Sequence, residues 1–305
     1  MSVEGLWVAP SVAEALLARR PVVALETTLV THGLKQPKGL AVAREMEAAV
    51  RAAGAVAATI GVLDGCARVG LDAAELERLA SSSEVAKLNL GNLAAGIASR
   101  KPGSTTVAAT MLLAHKAGVV VVATGGIGGV HRGAETSGDV SADLTALARV
   151  PVAVVCAGAK GVLDLRKTRE MLETLGVPVF GFGTDRFPAF YARDSGLAAD
   201  ARFDRVEDLA TAVRAHFGLR LGNGVVVANP IPAEHELPAD VYERGIAQAL
   251  ADAEVAGVAG RDVTPFLLER LRELTQGRSV ASNRALLLNN AGIAGRLAVE
   301  LSLHA

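Results

Sequence analysis

The sequence predicts an α/β fold in which a parallel or mixed sheet is covered by helices on both faces. Short β-branched runs recur along the 305 residues and alternate with stretches of helical periodicity. Half of the residues are apolar and the mean hydropathy is +0.34, so the chain can bury a large core. Because neither an internal repeat nor a low-complexity linker interrupts this pattern, we predict a single domain over residues 1–305.

The first half of the chain supplies two strands, a hairpin and two helices. "PVVALE" (21–26) is a buried-strand candidate that ends on a glutamate. Helical spacing of apolar residues follows from Leu40 to Ala53. "AVAATIGVLDGCARVGL" predicts a hairpin that turns at Asp64-Gly65, since Asp-Gly suits a tight hairpin turn. A helix around 105–117 then leads into a strand at 119–123.

The second half continues the alternation and then becomes mainly helical. We predict further strands at 152–157, 178–182 and 225–228, and further helices around 141–149, 165–175 and 205–216. "NPIPAEHELP" (229–238) predicts a loop. Near the end, Thr264-Pro265 indicates a helix N-cap followed by proline at the first helical position, and Gly277 indicates the end of that helix.

Composition excludes several functional classes. Lys plus Arg total 31 against 32 for Asp plus Glu, with no basic block, which argues against a nucleic-acid-binding surface. No run of eighteen apolar residues or signal peptide is present, so we expect no membrane span and a cytoplasmic location. Cys66 and Cys156 are too few and too far apart for a disulfide framework or a zinc site.

Polar features follow three of the predicted strands. Glu26, the loop from Thr124, and Lys160 each come directly or shortly after one. Ligands of open α/β sheets gather at the carboxyl ends of the strands, so these features predict a common site.

A glycine-rich loop, "GGIGGVHRGAETSGDVSADL" (125–144), is the densest polar segment of the chain. It is neither a P-loop nor a dinucleotide fingerprint. Its first glycines suit either an anion-binding turn or a tight strand-to-loop turn. Asp139, Ser141 and Asp143 offer oxygen ligands for Mg²⁺ or Mn²⁺. From these residues alone, however, helix capping by Ser141, with Asp143 in the first turn, is favoured over metal binding.

Lys160 and Glu26 are the candidates for covalent and proton chemistry. A lysine in a water-poor setting has a lowered pKa, and its neutral amine attacks a carbonyl to form an imine. Spacing alone favours a lysine whose stem packs while its ammonium reaches water. Glu26 suits a general acid or base if burial raises its pKa, and equally a capping or ion-paired role. Lys87 in "EVAKLNL" is a second lysine in an apolar setting.

His131 and three asparagines complete the candidates. His131 suits proton transfer or phosphate contact, although a loop histidine bonded to backbone is the simpler interpretation. Asn283, Asn289 and Asn290 lie on one predicted helix. At least one of them suits recognition of a base-like amide, and packing or capping explains the others.

Taken together, these segments resemble the pseudouridine-5'-phosphate glycosidase family from about Val12 to Val299. The resemblance is carried by "ALETTLVTHG", "GAVAATIGVLDG", "VAK" ending at Lys87, "STTVAATM", "ATGGIGGVHRGAETSGDVSADL", "PVAVVCAGAK", "VANPIP", "VTPFLL" and "NNA". It implies reversible cleavage of pseudouridine 5'-phosphate to uracil and ribose 5-phosphate, a three-layer α/β/α fold with a mixed, largely parallel sheet, and a homotrimer.

The resemblance also implies a role for each candidate. The base of that substrate is joined to ribose by a carbon–carbon bond, so the usual pair of glycosidase carboxylates is insufficient and a lysine imine supplies the electron sink. Lys160 matches the covalent lysine and Glu26 the acid/base. Lys87 matches a second catalytic lysine, which helps proton transfer or contacts substrate. Asp139 matches the ligand of one Mn²⁺ per subunit, with waters completing its shell. The implied substrate contacts are Lys87, Thr106, Val107, Thr124, His131, Ser141, Ala142, Asp143 and Asn283.

Two segments depart from the family pattern and keep alternatives open. "LNLGN" (88–92) follows Lys87 where Ser and arginines are usual, and "HGLKQPKG" (32–39) replaces a Met-Pro-rich loop. A lysine-imine lyase acting on another sugar phosphate or C-nucleotide is therefore one alternative. A non-catalytic ribose-phosphate-binding protein is the other.

Overall fold

Strands and helices were assigned in a computed structural model that describes residues 5–34, 36–258 and 263–303. The strands of this part of the chain are β1 (Leu6–Val8), β2 (Val22–Leu25), β3 (Val56–Leu63), β4 (Cys66–Val69), β5 (Ala86–Leu88), β6 (Gly103–Thr105), β7 (Val121–Ala123), β8 (Ala153–Cys156), β9 (Val179–Phe182), β10 (Ala201–Phe203) and β11 (Val225–Ala228).

Helices connect these strands and dominate the C-terminal part. They are α1 (Pro10–Leu17), α2 (Lys38–Ala52), α3 (Ala73–Ser81), α4 (Leu93–Ala98), α5 (Val107–Ala117), α6 (Ala134–Ser137), α7 (Ala142–Leu147), α8 (Leu165–Thr174), α9 (Val206–Gly218), α10 (Ala239–Val255), α11 (Val263–Leu274) and α12 (Arg278–Ser302). A π-helical turn spans Leu29–Gly33 and a 3₁₀ turn spans Ala233–His235.

The strands form one mixed sheet that is largely parallel. Its order is β1-β4-β3-β2-β7-β8-β11-β9-β10, and β6 joins β3 to β5. The pairs β3–β4 and β3–β6 are antiparallel, and the other strand pairs are parallel. The β3–β4 pair is the predicted hairpin. Asp64 and Gly65 turn it with φ of 55° and 79°, the backbone that an Asp-Gly hairpin turn requires.

Helices flank the sheet and complete three layers. The 25-residue α12 packs with α2 and α9 and contacts β2, β7 and β8. Helix α5 packs with α7 and also contacts β2 and β7. Every residue of β2, β7, β8 and β11 is buried, which explains why their sequences are continuous β-branched and alanine runs. The predicted α/β/α class is confirmed.

Most sequence-based boundaries agree with the structure, and the differences have local causes. The three-residue strands β1, β5, β6 and β10 were not predicted, because none of them lies in a longer apolar run of the kind (119–123) that predicted the equally short β7. Helix α11 already includes Val263, so Thr264 is a helical residue and its prediction as N-cap was wrong. Gly277, with φ of 81°, separates α11 from α12. Among the described helices, none has the length and apolarity needed to cross a bilayer.

Candidate active site

Three adjacent parallel strands bring the predicted polar features together. In the sheet order, β2, β7 and β8 are neighbours. Glu26 follows β2, Thr124 follows β7, and the loop that carries Lys160 follows β8. Because the carboxyl ends of parallel strands share one edge, these side chains meet there, as predicted.

Two adjoining cavities open at this edge. The apolar cavity, of about 60 Å³, is lined by Glu26, Thr28, Leu29, His32, Gly33, Lys87, Thr124, Gly125, Gly126, Lys160, Phe190, Leu268, Asn283 and Leu287. The polar cavity, of about 320 Å³, is lined by Glu26, Thr28, Lys87, Asn89, Asn92, Thr106, Gly128, His131, Asp139, Val140, Ser141, Ala142, Asp143, Lys160 and Leu163. Glu26, Thr28, Lys87 and Lys160 line both, so the candidate catalytic groups stand where the cavities meet.

Glu26 is a buried carboxyl with a raised pKa. Burial is the main cause of the increase, and the negative charge of Asp143 adds to it. The positive charge of Lys160, a hydrogen bond from the Thr124 hydroxyl and the charge of Lys87 act in the opposite direction. Glu26 therefore keeps its proton to a higher pH than an exposed glutamate, which suits a group that gives and takes protons near neutrality.

The two threonines after Glu26 are structural. The Thr27 hydroxyl donates to the Ile60 carbonyl at 2.7 Å and accepts the Thr105 N–H at 3.0 Å. The Thr28 hydroxyl donates to the Thr105 carbonyl at 2.7 Å. These bonds tie the loop after β2 to β3 and β6, and they fix the backbone that presents Glu26.

Lys160 and Lys87 approach the site from different elements. Lys160 is half-buried in the loop after β8, where its backbone N–H donates to the Ile127 carbonyl at 3.0 Å. Lys87 lies in β5, opposite Ser104 of β6. Of the positive charges that act on Glu26, that of Lys160 has the larger effect on its pKa. The geometry thus places one amine beside the acid/base candidate and a second cation nearby.

Close packing explains the glycines of the 125–144 loop. A Cβ on Gly126 would lie 2.6 Å from the Phe190 ring, and a Cβ on Gly128 would overlap the Ser141 hydroxyl. The N–H of Ile127 donates to the Gly158 carbonyl at 3.0 Å, and that of Gly128 donates to Asp143 Oδ2 at 2.7 Å. Of the two interpretations of these glycines, the tight turn is the one that the backbone contacts support.

Asp143 joins two elements beneath the polar cavity. It is 4% exposed, and its Oδ1 accepts the Ala108 N–H at 2.9 Å while its Oδ2 accepts the Gly128 N–H. Ser141 is the N-cap of α7, with its hydroxyl accepting the Asp143 N–H at 3.2 Å. The capping interpretation of Ser141 is confirmed. Asp143 uses its carboxylate to anchor the glycine-rich loop to the start of α5.

Thr106 lines the polar cavity, whereas the side chain of Val107 lies in the hydrophobic core. Thr106 caps α5, with its hydroxyl accepting the Ala109 N–H at 3.5 Å, and it lines the polar cavity. Val107 is 1% exposed and its side chain belongs to the hydrophobic core. Only the backbone of Val107 is therefore available for the predicted substrate contact.

Asp139 and His131 form the outer part of the polar cavity. Asp139 Oδ2 lies 3.8 Å from His131 Nδ1, and the His131 N–H donates to the Asp139 carbonyl at 3.1 Å. Burial lowers the pKa of His131, the negative charge of Asp139 opposes this, and the charges of Lys160 and Lys87 add to the decrease. The imidazole is therefore neutral near pH 7.

A metal ion in the polar cavity would have few protein ligands. Among the described residues, no three or more His, Cys, Asp or Glu side chains converge. Asp143 already uses both oxygens, which leaves Asp139 as the carboxylate of this cavity's outer part. One carboxylate with waters and substrate oxygens is how proteins commonly hold Mg²⁺ or a similar hard ion, so the donor set is compatible with such an ion.

The three asparagines of α12 have separate roles. Asn289 Nδ2 donates to the Pro230 carbonyl at 3.2 Å, and Asn290 Nδ2 donates to the Thr124 carbonyl at 2.8 Å. Asn283 is 5% exposed and lines the apolar cavity. Its Oδ1 is buried with no hydrogen-bond partner among the described residues. Of the three, Asn283 is thus the one that lines a cavity, whereas Asn289 and Asn290 bond backbone carbonyls.

Sequence reasoning missed several lining residues. Asn89 and Asn92 lie in "LNLGN", where Asn92 Oδ1 accepts the Asn89 N–H at 2.7 Å and Asn92 Nδ2 donates to the Lys87 carbonyl at 3.0 Å. The departure of this segment from the family pattern is the sequence feature that could have identified these two asparagines as lining residues. Phe190 comes from a distant loop and His32 from the π-helical turn. The residues next to them in sequence do not indicate that either one lines a cavity.

The second departing segment lines a third cavity of about 390 Å³. Leu34, Gln36, Pro37 and Lys38 contribute to it, whereas Lys35 lies outside the described residues. This cavity shares His32, Gly33, Leu268 and Asn283 with the apolar cavity.

Comparison with known proteins covers almost the whole chain. The family model of indigoidine synthase A like proteins matches residues 11–300. A pseudouridine-5'-phosphate glycosidase from Paracoccus denitrificans is 55% identical over 295 residues, which cover 96% of this chain and 97% of that protein. The chain belongs to the pseudouridine-5'-phosphate glycosidase family. It is therefore an enzyme, and all the site residues described above lie within the matched region.

Other members of the family agree with this assignment. A pseudouridine-5'-phosphate glycosidase from Solibacter usitatus is 52% identical, with 98% of this chain and 99% of that protein covered. The fold matches that of the prealnumycin C-glycosynthase AlnA, whose structure was solved in complex with ribulose 5-phosphate, with a TM-score of 0.92, 38% identity and coverage of 99% and 98%. An indigoidine synthase A-like protein from Thermotoga maritima matches with a TM-score of 0.88, 36% identity and coverage of 97% and 96%.

Proposed function

We propose that this chain reversibly cleaves the C–C glycosidic bond of pseudouridine 5'-phosphate to uracil and ribose 5-phosphate. The observation that carries the proposal is the position of Glu26 and Lys160, which line both the apolar and the polar cavity. A substrate with its base in one cavity and its sugar phosphate in the other has its connecting bond beside these two side chains. The names of the relatives support the same reaction.

The apolar cavity suits the base. Phe190, Leu268 and Leu287 supply flat or aliphatic surface for a pyrimidine ring. A buried amide oxygen without a partner is costly, and an N–H of uracil would satisfy Asn283 Oδ1. Asn283 therefore both orients the base and favours a base with an N–H donor.

The polar cavity suits the sugar phosphate. Thr106 and Ser141 line it with hydroxyl groups, and Ala142 lines it at the first position of α7. The Lys87 ammonium adds a positive charge, and Asn89 and Asn92 add neutral amides. Complexation of ribulose 5-phosphate by the related AlnA supports a sugar phosphate as the kind of ligand.

Lys160 supplies the covalent step in this proposal. Glu26 gives a proton to the ring oxygen as the C1–O bond of the ribose ring breaks, and Lys160 Nζ forms a C–N bond to C1 and passes a proton back to the Glu26 carboxylate. When the C1–base bond breaks, its electron pair goes to the base carbon, which takes up a proton. The lysine nitrogen lone pair then forms the C=N bond of an imine at C1. Water hydrolyses the imine, releasing ribose 5-phosphate and restoring the lysine, and the same steps reversed form the C–C bond.

We propose that Asp139 holds one Mn²⁺ per subunit, with water and substrate oxygens as its other ligands. Such an ion supplies positive charge beside the sugar phosphate. Chelation is expected to lower the rate of uracil release, and added Mn²⁺ to restore it. Asp139→Asn should need a higher Mn²⁺ concentration for the same rate. A wild-type rate that chelation leaves unchanged would remove the metal from this proposal.

The first test is uracil release from pseudouridine 5'-phosphate by wild type, Lys160→Ala and the exposed control Lys101→Ala, all with Mn²⁺. We expect release by wild type and Lys101→Ala and none by Lys160→Ala. Borohydride reduction with ribose 5-phosphate should add a sugar phosphate mass to wild type and not to Lys160→Ala. Turnover by a folded Lys160→Ala would remove the covalent step, and ligand binding without turnover by wild type would point to a different substrate for this enzyme.

A related C-nucleotide with a larger base is the second candidate substrate. The third cavity adjoins the apolar cavity at Asn283, and the departing segment at 34–38 lines it. Turnover of pseudouridine 5'-phosphate and of larger phosphorylated C-nucleosides, measured side by side, separates the two. A higher kcat/KM for a larger base would favour this second candidate.

A further inference from the structure

A chain of buried hydrogen bonds links α12 to Glu26. Asn229 Nδ2 donates to Asn290 Oδ1 at 2.9 Å, and Asn290 Nδ2 donates to the Thr124 carbonyl at 2.8 Å and, more weakly, to the Gly125 carbonyl at 3.4 Å. The Thr124 hydroxyl in turn donates to Glu26 Oε1. Each side chain in this series has its hydrogen-bond partner within the protein.

Water has little access to the series. Asn290 is 0% exposed, Thr124 1% and Asn229 4%. Asn229 follows β11, Thr124 follows β7 and Glu26 follows β2, so the series runs along the carboxyl edge of the sheet. In such a place a lost hydrogen bond is not replaced by solvent, and the groups left behind must move.

We infer that Asn290 is a positioning residue that fixes the Thr124–Gly125 backbone, so that the Thr124 hydroxyl stays directed at the Glu26 carboxyl. Asn290 lines neither the apolar nor the polar cavity, so it acts through Thr124 rather than on the substrate. The inference rests on the proposed function, in which Glu26 carries protons during ring opening.

The hydrogen bond from the Thr124 hydroxyl favours the ionised form of Glu26. It lowers the pKa of that carboxyl, against the larger effect of burial. The charged groups that face Glu26 are Lys160, Lys87 and Asp143, and the hydrogen bonds of Asn290 run to Asn229 and to the Thr124–Gly125 backbone. Loss of Asn290 therefore weakens the Thr124 hydrogen bond and moves the Glu26 pKa to a higher value.

The test compares Asn290→Ala with Asn289→Ala in the uracil-release assay. Asn289 is the matched control because it is the neighbouring asparagine on α12 and donates to the Pro230 carbonyl instead. We expect Asn290→Ala to lower kcat about 10-fold or more and to move the Glu26 limb of the pH–rate profile to higher pH. Asn289→Ala should keep the wild-type kcat and profile. A folded Asn290→Ala with the wild-type pH profile would overturn the inference.

A double-mutant cycle with Thr124→Val separates positioning from general damage. If Asn290 acts through the Thr124 hydroxyl, then Asn290→Ala in the Thr124→Val background should slow kcat by no more than about twofold. Independent effects that multiply in the double variant would contradict the inference. Thr124→Ser, which keeps the hydroxyl, should retain most of the activity.

Two further measurements keep the inference testable if a variant fails. Should Asn290→Ala not fold, Asn229→Ala removes only the donor to Asn290 Oδ1, and it should shift the pH profile in the same direction. If wild type releases no uracil, the proposed function fails on that result alone. In that case, titration of Glu26 followed by NMR of its carboxyl carbon tests the hydrogen bond from Thr124 to Glu26 without an activity assay. An unchanged Glu26 pKa in Asn290→Ala or Asn229→Ala would overturn it.

Discussion

At the scale of single residues, the site depends on polar groups that the fold keeps from water. Glu26, Asp143, Thr124 and Asn290 are all buried, and each is held by hydrogen bonds from other elements. Their residue types were visible in the sequence. The sequence did not show which of these residues line the cavities and which hold the backbone. That division depends on hydrogen-bond partners up to 166 residues away along the chain.

The raised pKa of Glu26 implies a cost in stability at neutral pH. A carboxyl with a higher pKa in the folded than in the unfolded protein binds more protons when folded. It therefore destabilises the fold as the pH rises from about 4.5 through the folded-state pKa. Below that range both states hold the proton and the cost disappears.

Glu26→Gln should therefore raise the unfolding temperature at about pH 8, and this gain should disappear by about pH 4. The substituted amide keeps the shape and an acceptor for the Thr124 hydroxyl, while removing the buried charge. Calorimetry at several pH values measures the effect, with the exposed Glu14→Gln as control. A gain that is equal at both pH values would contradict burial of the charge as its cause. Uracil release by Glu26→Gln should be nearly abolished.

At the scale of elements, close approach decides where glycine is required. Gly128 lies against Ser141 and donates to Asp143, so a side chain there would push the loop away from α7. Gly292 lies inside α12, and apart from that helix's own backbone no atom of the described residues lies within 4 Å of the place that a Cβ would take. The sequence shows both as glycines, and only the packing distinguishes them.

Gly128→Ala and Gly292→Ala should consequently change stability in opposite directions. We expect Gly128→Ala to lower the free energy of unfolding by about 1–3 kcal/mol or more, since the loop is already tightly packed. Gly292→Ala should raise it by about 0.5–1 kcal/mol, because alanine is the better residue within a helix. Urea denaturation measures both changes. A neutral Gly128→Ala would show that the loop tolerates displacement from Ser141.

At the scale of the whole molecule, the sheet order creates the site. Residues from β2, β5, β7, β8 and α12 meet at one edge although they span most of the sequence. The homotrimer and the cytoplasmic location remain predictions. The surface of the described residues includes the exposed apolar side chains of Leu17, Leu219, Leu221, Val255 and Leu303.

Light scattering of the purified protein should give a mass three times the 31.2 kDa of the chain. The expectation comes from the family resemblance, since composition does not determine subunit number. The measured mass should stay the same when the protein is diluted to the concentrations used in the activity assay. A mass equal to one chain under those conditions would contradict the prediction.

By itself the sequence determined the layered α/β class, the long helices and central strands, and the family with its expected catalytic pair. These follow from local periodicity and from motifs that are continuous along the chain. Tertiary structure alone decided that Asp143 anchors backbone, that Val107 belongs to the core, that Asn283 rather than Asn289 or Asn290 faces a cavity, and that Phe190 lines one. The physical reason is that burial and hydrogen-bond partners arise from segments far apart in sequence, which periodicity and spacing do not register.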